Sequence, residues 1–215
     1  AGQPLITYTI EAAMESGLDR VILSTEAYEI AEVGRSAGVE VPFLRPAELA
    51  ETDSKAINVV VHALDALEAS EDWKPDAIMY LQPTSPFRTT ELINRAIELY
   101  RNVEKNSVIT MRQPESHPAY MFIKNENGEM GDLLDPSRYR AERRQDMIDV
   151  YSLNDAIHLS SHDYLKKAAI DEGLIVDLND FAPCFIEEPE TLDINTEQEF
   201  QYADFVMRQR KGMIA

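Results

Sequence analysis

In a chain that alternates strands and helices, ligands meet the protein where the strands end at their carboxyl side, so polar residues just after an apolar run are where chemistry is sought. The run Ala77-Ile78-Met79-Tyr80-Leu81 is followed at once by Gln82-Pro83-Thr84-Ser85-Pro86-Phe87-Arg88. Two prolines restrict this backbone and lower the entropy cost of holding Gln82, Thr84 and Ser85 in one place. A glutamine amide both donates and accepts, which suits hydroxyl and acylamino groups. The same residues also fit a rigid strand-to-helix loop whose hydroxyls satisfy backbone groups. Arg45, placed after a second apolar run, would lie on the same edge of a sheet. The arginines of residues 138–144 fall in a polar stretch of the kind that is usually solvated. The four histidines form no ligand set: His158 and His162 are four apart, but a strand-to-helix boundary is expected between them. No Ser-His-Asp arrangement is legible, and no glycine-rich dinucleotide loop.

Bulk properties bound the rest. The chain has 215 residues, 44% of them hydrophobic, enough for one sizeable core and a single domain over residues 1–215. A formal net charge of −19 argues against a nucleic-acid partner, because that affinity comes from lysine and arginine on phosphates. No apolar run has the length of a membrane span and no signal-peptide layout opens the chain, so no membrane partner and a cytoplasmic location are expected. The single cysteine, Cys184, lies among apolar residues and reads as core; it can build neither a disulfide nor a cysteine zinc site.

The elements that must position these residues follow from periodicity. Helices are expected over residues 4–16, 27–37, 55–69, 89–102, 163–172 and from Thr196 onward; strands over 20–24, 39–43, 77–81, 107–111, 156–159 and 175–178. This is an α/β pattern, a Rossmann-like mixed and mostly parallel sheet with crossover helices, and the strand at 77–81, apolar on both faces, is expected at its centre. Residues 113–150 leave the pattern, with a hairpin turn at Asn127-Gly128, and read as an arm inserted in the domain. The first helix opens without a strand before it, so a first strand and its loop are expected to be missing from these 215 residues.

Four stretches, in order, resemble one family, the acylneuraminate cytidylyltransferases. They are residues 1–13, from Ala1-Gly2-Gln3-Pro4 to Ala13; Val41-Pro42-Phe43-Leu44-Arg45-Pro46-Ala47-Glu48-Leu49-Ala50; Leu81 to Arg88; and Arg143-Arg144-Gln145-Asp146. The resemblance implies a nucleotidyltransferase that joins CMP from CTP to the anomeric hydroxyl of an acidic nine-carbon sugar, with Mg2+ bound and pyrophosphate released. It also implies a homodimer whose arm reaches the partner's site, and an N-terminal phosphate-binding loop that this sequence does not contain. Octulosonate-activating enzymes share the expected fold but not these signatures, and a non-catalytic sugar-acid-binding relic is the alternative of another class.

Through the resemblance, Arg45 is expected at the nucleotide phosphates as a catalytic and nucleotide-binding residue, with Ser54 beside it in place of the serines the family carries at 55 and 56. Gln82, Ser85, Arg144, Gln145, Asn154 and His158 are expected at the sugar. In Asn154-Asp155-Ala156-Ile157-His158 an aspartate and a histidine replace the family's glycine and tyrosine. Asp193 is expected as catalytic metal ligand with Asn195, where the family has a second aspartate; Asn195-Thr196 with Glu199 also reads as a helix cap. Arg88 is expected either to touch substrate or to cap the loop and pair with Glu91 as a structural residue.

Overall fold

The computed structural model describes residues 1–141 and 143–214, and of Arg144 only the backbone. The helices fall where periodicity and caps place them: α1 Leu5–Met14, α2 Tyr28–Ser36, α3 Ala56–Glu71 and α4 Thr90–Asn102. α4 starts because Thr89 accepts a hydrogen bond from the Leu92 amide. α2 stops where Gly38 takes a left-handed φ of +86°, a conformation costly for any side chain.

Strands β1 Ala77–Tyr80, β2 Ser107–Arg112, β5 Ser152–Ser161 and β6 Phe181–Phe185 form one sheet in the order β1-β5-β2-β6. The sheet is mixed as expected, but its pairings are not mostly parallel: β5 runs antiparallel to both β1 and β2, and among the described residues only β6 pairs in parallel, with β2. On one face, Ile157, Leu159 and Val108 pack with Leu92, Ile93 and Ala96 of α4 and Ala12 and Ala13 of α1. On the other, Ile57, Val60 and Leu64 of α3 pack with Leu165 and Ala168 of α6, His162–Ile170. Cys184 lies buried in the first of these clusters.

Three strand expectations are corrected. The segments at 20–24 and 39–43 meet in a single parallel bridge, Ile22 to Glu40, rather than in full strands. Residues 175–178 form no strand; Asp177 instead receives the Asn179 and Asp180 amides in a turn, and β6 follows. β6 alternates buried Ala182 and Cys184 with outward Phe181, Pro183 and Phe185, and tolerates Pro183 because it is an edge strand.

The third correction is β1, which lies at the edge of the sheet and not at its centre. All four of its residues are only half-buried. Its free flank faces a cleft of about 830 Å³ whose far wall is residues 18–25. The polar excursion carries the expected hairpin, β3 Phe122–Lys124 with β4 Met130–Asp132, followed by the short helix α5, Pro136–Tyr139. The last helix, α7 Glu197–Arg210, begins with the capping box read from the sequence: Thr196 accepts from the Glu199 amide and Glu199 accepts from Thr196 N. Among the described residues no helix is long and apolar enough to cross a membrane.

Candidate active site

The carboxyl end of β1 feeds directly into the loop at 82–88, which ties the neighbouring segments together. Thr84 O accepts from Ile194 N at 2.8 Å, docking the Asp193 segment. The Arg88 side chain, only 3% exposed, donates to Ala156 O, to Thr9 Oγ1 at 3.1 Å and to Gln82 O at 2.7 Å. Arg88 therefore ties the loop down from within, as its structural reading expected, but among the described residues it does not pair with Glu91. Burial pulls its pKa down to about 10, and the nearby Asp193 charge opposes that fall.

A break in the β2–β5 ladder shapes the opposite side. Ile109 pairs with His158, but Met111 pairs with Leu153, so residues 154–156 are looped out of register. Thr110 Oγ1, fully buried, accepts from Ile157 N at 2.9 Å and donates to Asn154 O at 2.8 Å, holding the bulge. Asn154 is expected on the sugar, yet both ends of its amide are engaged within the fold: Oδ1 accepts from Ala156 N and Nδ2 donates to Thr191 O, each at 2.9 Å. Its place is that of a strut between the bulge and the segment leading to Asp193.

Gln82 and Arg45 both line the 830 Å³ cleft, together with Thr25 and Glu26. Among the described residues the Gln82 side-chain amide has no hydrogen-bond partner, so it is free for a ligand. Arg45 is anchored through its backbone, N to Thr25 O at 2.9 Å, and through Nη2 to Glu26 Oε2 at 2.6 Å. Its Nε is buried with no partner. The Arg45 hydrogen bond is the largest cause holding the Glu26 carboxyl below its usual pKa. Glu26 was not singled out from the sequence; its position just after the segment at 20–24 was the available signal.

Ser85 is 1% exposed and its hydroxyl has no partner among the described residues, an arrangement that is costly unless something else completes it. His158 lies beside Tyr80, the rings 6.4 Å apart and nearly parallel, with Nε2 3.3 Å from Asp155 Oδ1 and Nδ1 buried without a partner. The Asp155 carboxyl is lowered first of all by that contact. Neither Asp155 nor Tyr80 was among the expected site residues.

Ser54 lies apart from this group. Its hydroxyl donates to Glu48 O at 2.7 Å and it does not line the cleft. It caps nothing, because α3 starts after Lys55. Gln145 is exposed in the short turn Arg144–Asp146; the side chain of Arg144 lies outside the described residues.

At Asp193 the two carboxylate oxygens differ. Oδ2 accepts from Asn195 Nδ2 at 2.8 Å, while Oδ1 is buried with no partner among the described residues. Asn195 also donates its backbone N–H to Glu199, so cap and carboxylate contact coexist. Among the described residues no group of three or more His, Cys, Asp or Glu side chains converges into a metal cage. One free carboxylate oxygen beside an amide fits Mg2+, which takes one or two protein carboxylates and fills its octahedron with water and substrate phosphate.

A family model described as cytidylyltransferase matches residues 1–173. The chain is 31% identical over 163 residues to a CMP-N,N'-diacetyllegionaminic acid synthase of Legionella pneumophila, covering 75% of this chain and 68% of that protein. It is 28% identical over 210 residues to a pseudaminic acid cytidylyltransferase of Campylobacter jejuni, 96% of this chain and 86% of that one. With an N-acylneuraminate cytidylyltransferase of Streptococcus agalactiae it shares 26% over 223 residues, spanning about half of that relative's length (51%). In fold it is similar to a CMP:2-keto-3-deoxy-manno-octonic acid synthetase solved with CTP, with a TM-score of 0.69 and 12% identity over 98% of this chain and 90% of that one.

Proposed function

The chain belongs to the cytidylyltransferase family, and from that premise we propose that it transfers CMP from CTP to the anomeric hydroxyl of a sialic-type nonulosonic acid, releasing pyrophosphate. The observation that carries this reading is the pairing, on one cleft, of the unengaged Gln82 amide with the anchored Arg45 guanidinium. An amide that donates and accepts suits the hydroxyl and acylamino groups of the sugar, and a fixed guanidinium suits phosphate. Relatives named for legionaminic, pseudaminic and N-acylneuraminic acids support the substrate class and leave the choice within it to experiment.

In the reaction, the C2 hydroxyl oxygen attacks the α-phosphorus of CTP in line, the new P–O bond forms as the bond to the pyrophosphate oxygen breaks, and the hydroxyl proton passes to water. Nucleotidyl transfer depends mainly on alignment and on neutralising phosphate charge. Gln82 orients the sugar. Arg45 supplies positive charge on the nucleotide side, held at its angle by Glu26. Asp193 Oδ1, with Asn195 beside it, would hold Mg2+, which when bound stabilises charge on the phosphates. Arg144 and Gln145 are proposed to approach the sugar from the arm.

Two further parts belong to this reading. The cleft between β1 and residues 18–25 is suited to an extended segment that would pair with both flanks and bring a phosphate-binding loop to Arg45 and Gln82. The hairpin and the turn before it display Tyr120, Phe122, Ile123 and Met130 to solvent, an apolar surface that supports a homodimer through the arm. Sedimentation at a mass near twice 24.4 kDa tests the latter.

The activity is tested by pyrophosphate release from CTP with a panel of nonulosonic acids. Release with at least one sialic-type acid and none with octulosonate is expected. Wild-type rates in both Gln82→Ala and Arg144→Ala would overturn the site.

A further inference from the structure

Most polar side chains around the cleft sit at its wall. Arg88 does not: it is buried behind the loop, and its contacts join three elements that are far apart in sequence. Nε holds Ala156 O, inside the bulge of β5. Nη1 holds Thr9 Oγ1 on α1. Nη2 holds Gln82 O, and Thr9 Oγ1 lies 3.5 Å from that same oxygen. A guanidinium is a planar fork of five N–H donors, so these contacts also fix the relative positions of the three acceptors. An ammonium in its place would be a point charge without that geometry.

A buried cation is costly, and among the described residues none of the hydrogen bonds of Arg88 goes to a carboxylate. Its acceptors are two carbonyls and a hydroxyl. A salt bridge would have satisfied the charge more simply, whereas carbonyl acceptors satisfy it only while Gln82 and the bulge stay in place. Asp193, whose segment docks on Thr84, is the negative charge that acts on it.

We propose that Arg88 is a positioning residue of the sugar side of the site: its fork fixes the Gln82 backbone, and with it the free Gln82 amide, relative to the β5 bulge that carries Asp155 and leads to His158. The proposal rests on the sugar-side reading of Gln82 given above. It assigns Arg88 no contact with substrate.

The test uses two variants. Arg88→Lys keeps the charge and removes the fork; Thr9→Val is close to isosteric, keeps Arg88 and removes one acceptor, and serves if the first variant does not fold. Two readouts are taken. The first is amide hydrogen exchange of Thr84, Ser85 and Phe87, which needs no activity; faster exchange in this loop, with α4 and β2 unchanged, is expected for Thr9→Val. Unchanged loop exchange in Thr9→Val overturns the proposal. The second is steady-state kinetics. KM for the acid sugar is expected to rise about tenfold in Arg88→Lys and about threefold in Thr9→Val, with KM for CTP within about twofold of wild type. A fall in thermal stability with no change in sugar KM, or equal losses for sugar and CTP, also overturns it. If the wild-type protein transfers no CMP, the functional reading fails, and the exchange experiment still decides the role of Arg88.

Discussion

Asp193 gives one carboxylate oxygen to the Asn195 amide at 2.8 Å and keeps the other buried with nothing bound to it. A buried acceptor left open is destabilising by about 1–3 kcal/mol, so the arrangement makes sense if a cation completes it. An asparagine contributes a neutral oxygen where a carboxylate would contribute charge. The expected outcome is that Asn195→Asp lowers the Mg2+ concentration needed for half-maximal pyrophosphate release, and that Asp193→Asn raises it by about tenfold or more. A Mg2+ titration of the rate for each variant measures both shifts.

Glu26 and Arg45 form an ion pair on the cleft, and its sign matters for acid stability. The folded-state pKa of Glu26 is depressed. The pair's contribution is therefore fully present above the unfolded glutamate value of about 4.3 and is lost as the pH falls through the lower folded value. Glu26→Gln should flatten the acid limb of the melting-temperature profile over that window. It should also lower KM for CTP, because a carboxylate is removed from the proposed phosphate side. Thermal melts from about pH 3 to 6, with CTP kinetics at neutral pH, check the two effects.

Thr110 is the one side chain that closes the β5 bulge by hydrogen-bonding both Ile157 N and Asn154 O. Thr110→Val preserves the shape and strands two buried backbone groups, at an expected cost of about 1–3 kcal/mol. Chemical denaturation measures it. A neutral result would mean that the bulge is held by Asn154 alone.

Thr196→Ala removes the hydroxyl half of the capping box at the start of α7. The expected loss is about 1 kcal/mol, or roughly 2–4 °C in melting temperature for a chain of this size. Differential scanning calorimetry on the purified protein tests it.

The helices were legible because their signals are local. Thr89, Thr196 and Glu199 cap within one turn, Gly38 ends α2 by its own conformation, and the apolar stripe of Ile57, Val60 and Leu64 marks the buried face of α3. The loop from Gln82 to Arg88 was legible as a site for a similar reason, since an apolar strand followed by prolines and polar residues is a contiguous pattern. Strands depend on neighbours distant in the chain. Residues 20–24 and 39–43 carry strand-like composition and meet in a single bridge, and the equally apolar β1 ends at an open flank. Pro183 concealed β6, because only the sheet order shows that this strand lies at an edge.

By itself, then, the sequence determined the α/β class, the helix boundaries, the loop at 82–88 and the family it resembles, all carried by residues close together in the chain. Only the tertiary structure decided what the polar groups do. It turned Arg88 inward onto Gln82 O, Ala156 O and Thr9 Oγ1, acceptors 6, 68 and 79 positions away along the chain. It engaged Asn154 as a strut, joined Arg45 to Glu26, and left Gln82 and one oxygen of Asp193 open. A polar side chain can be satisfied by any partner within about 3 Å, and which partner arrives at that distance is set by long-range packing.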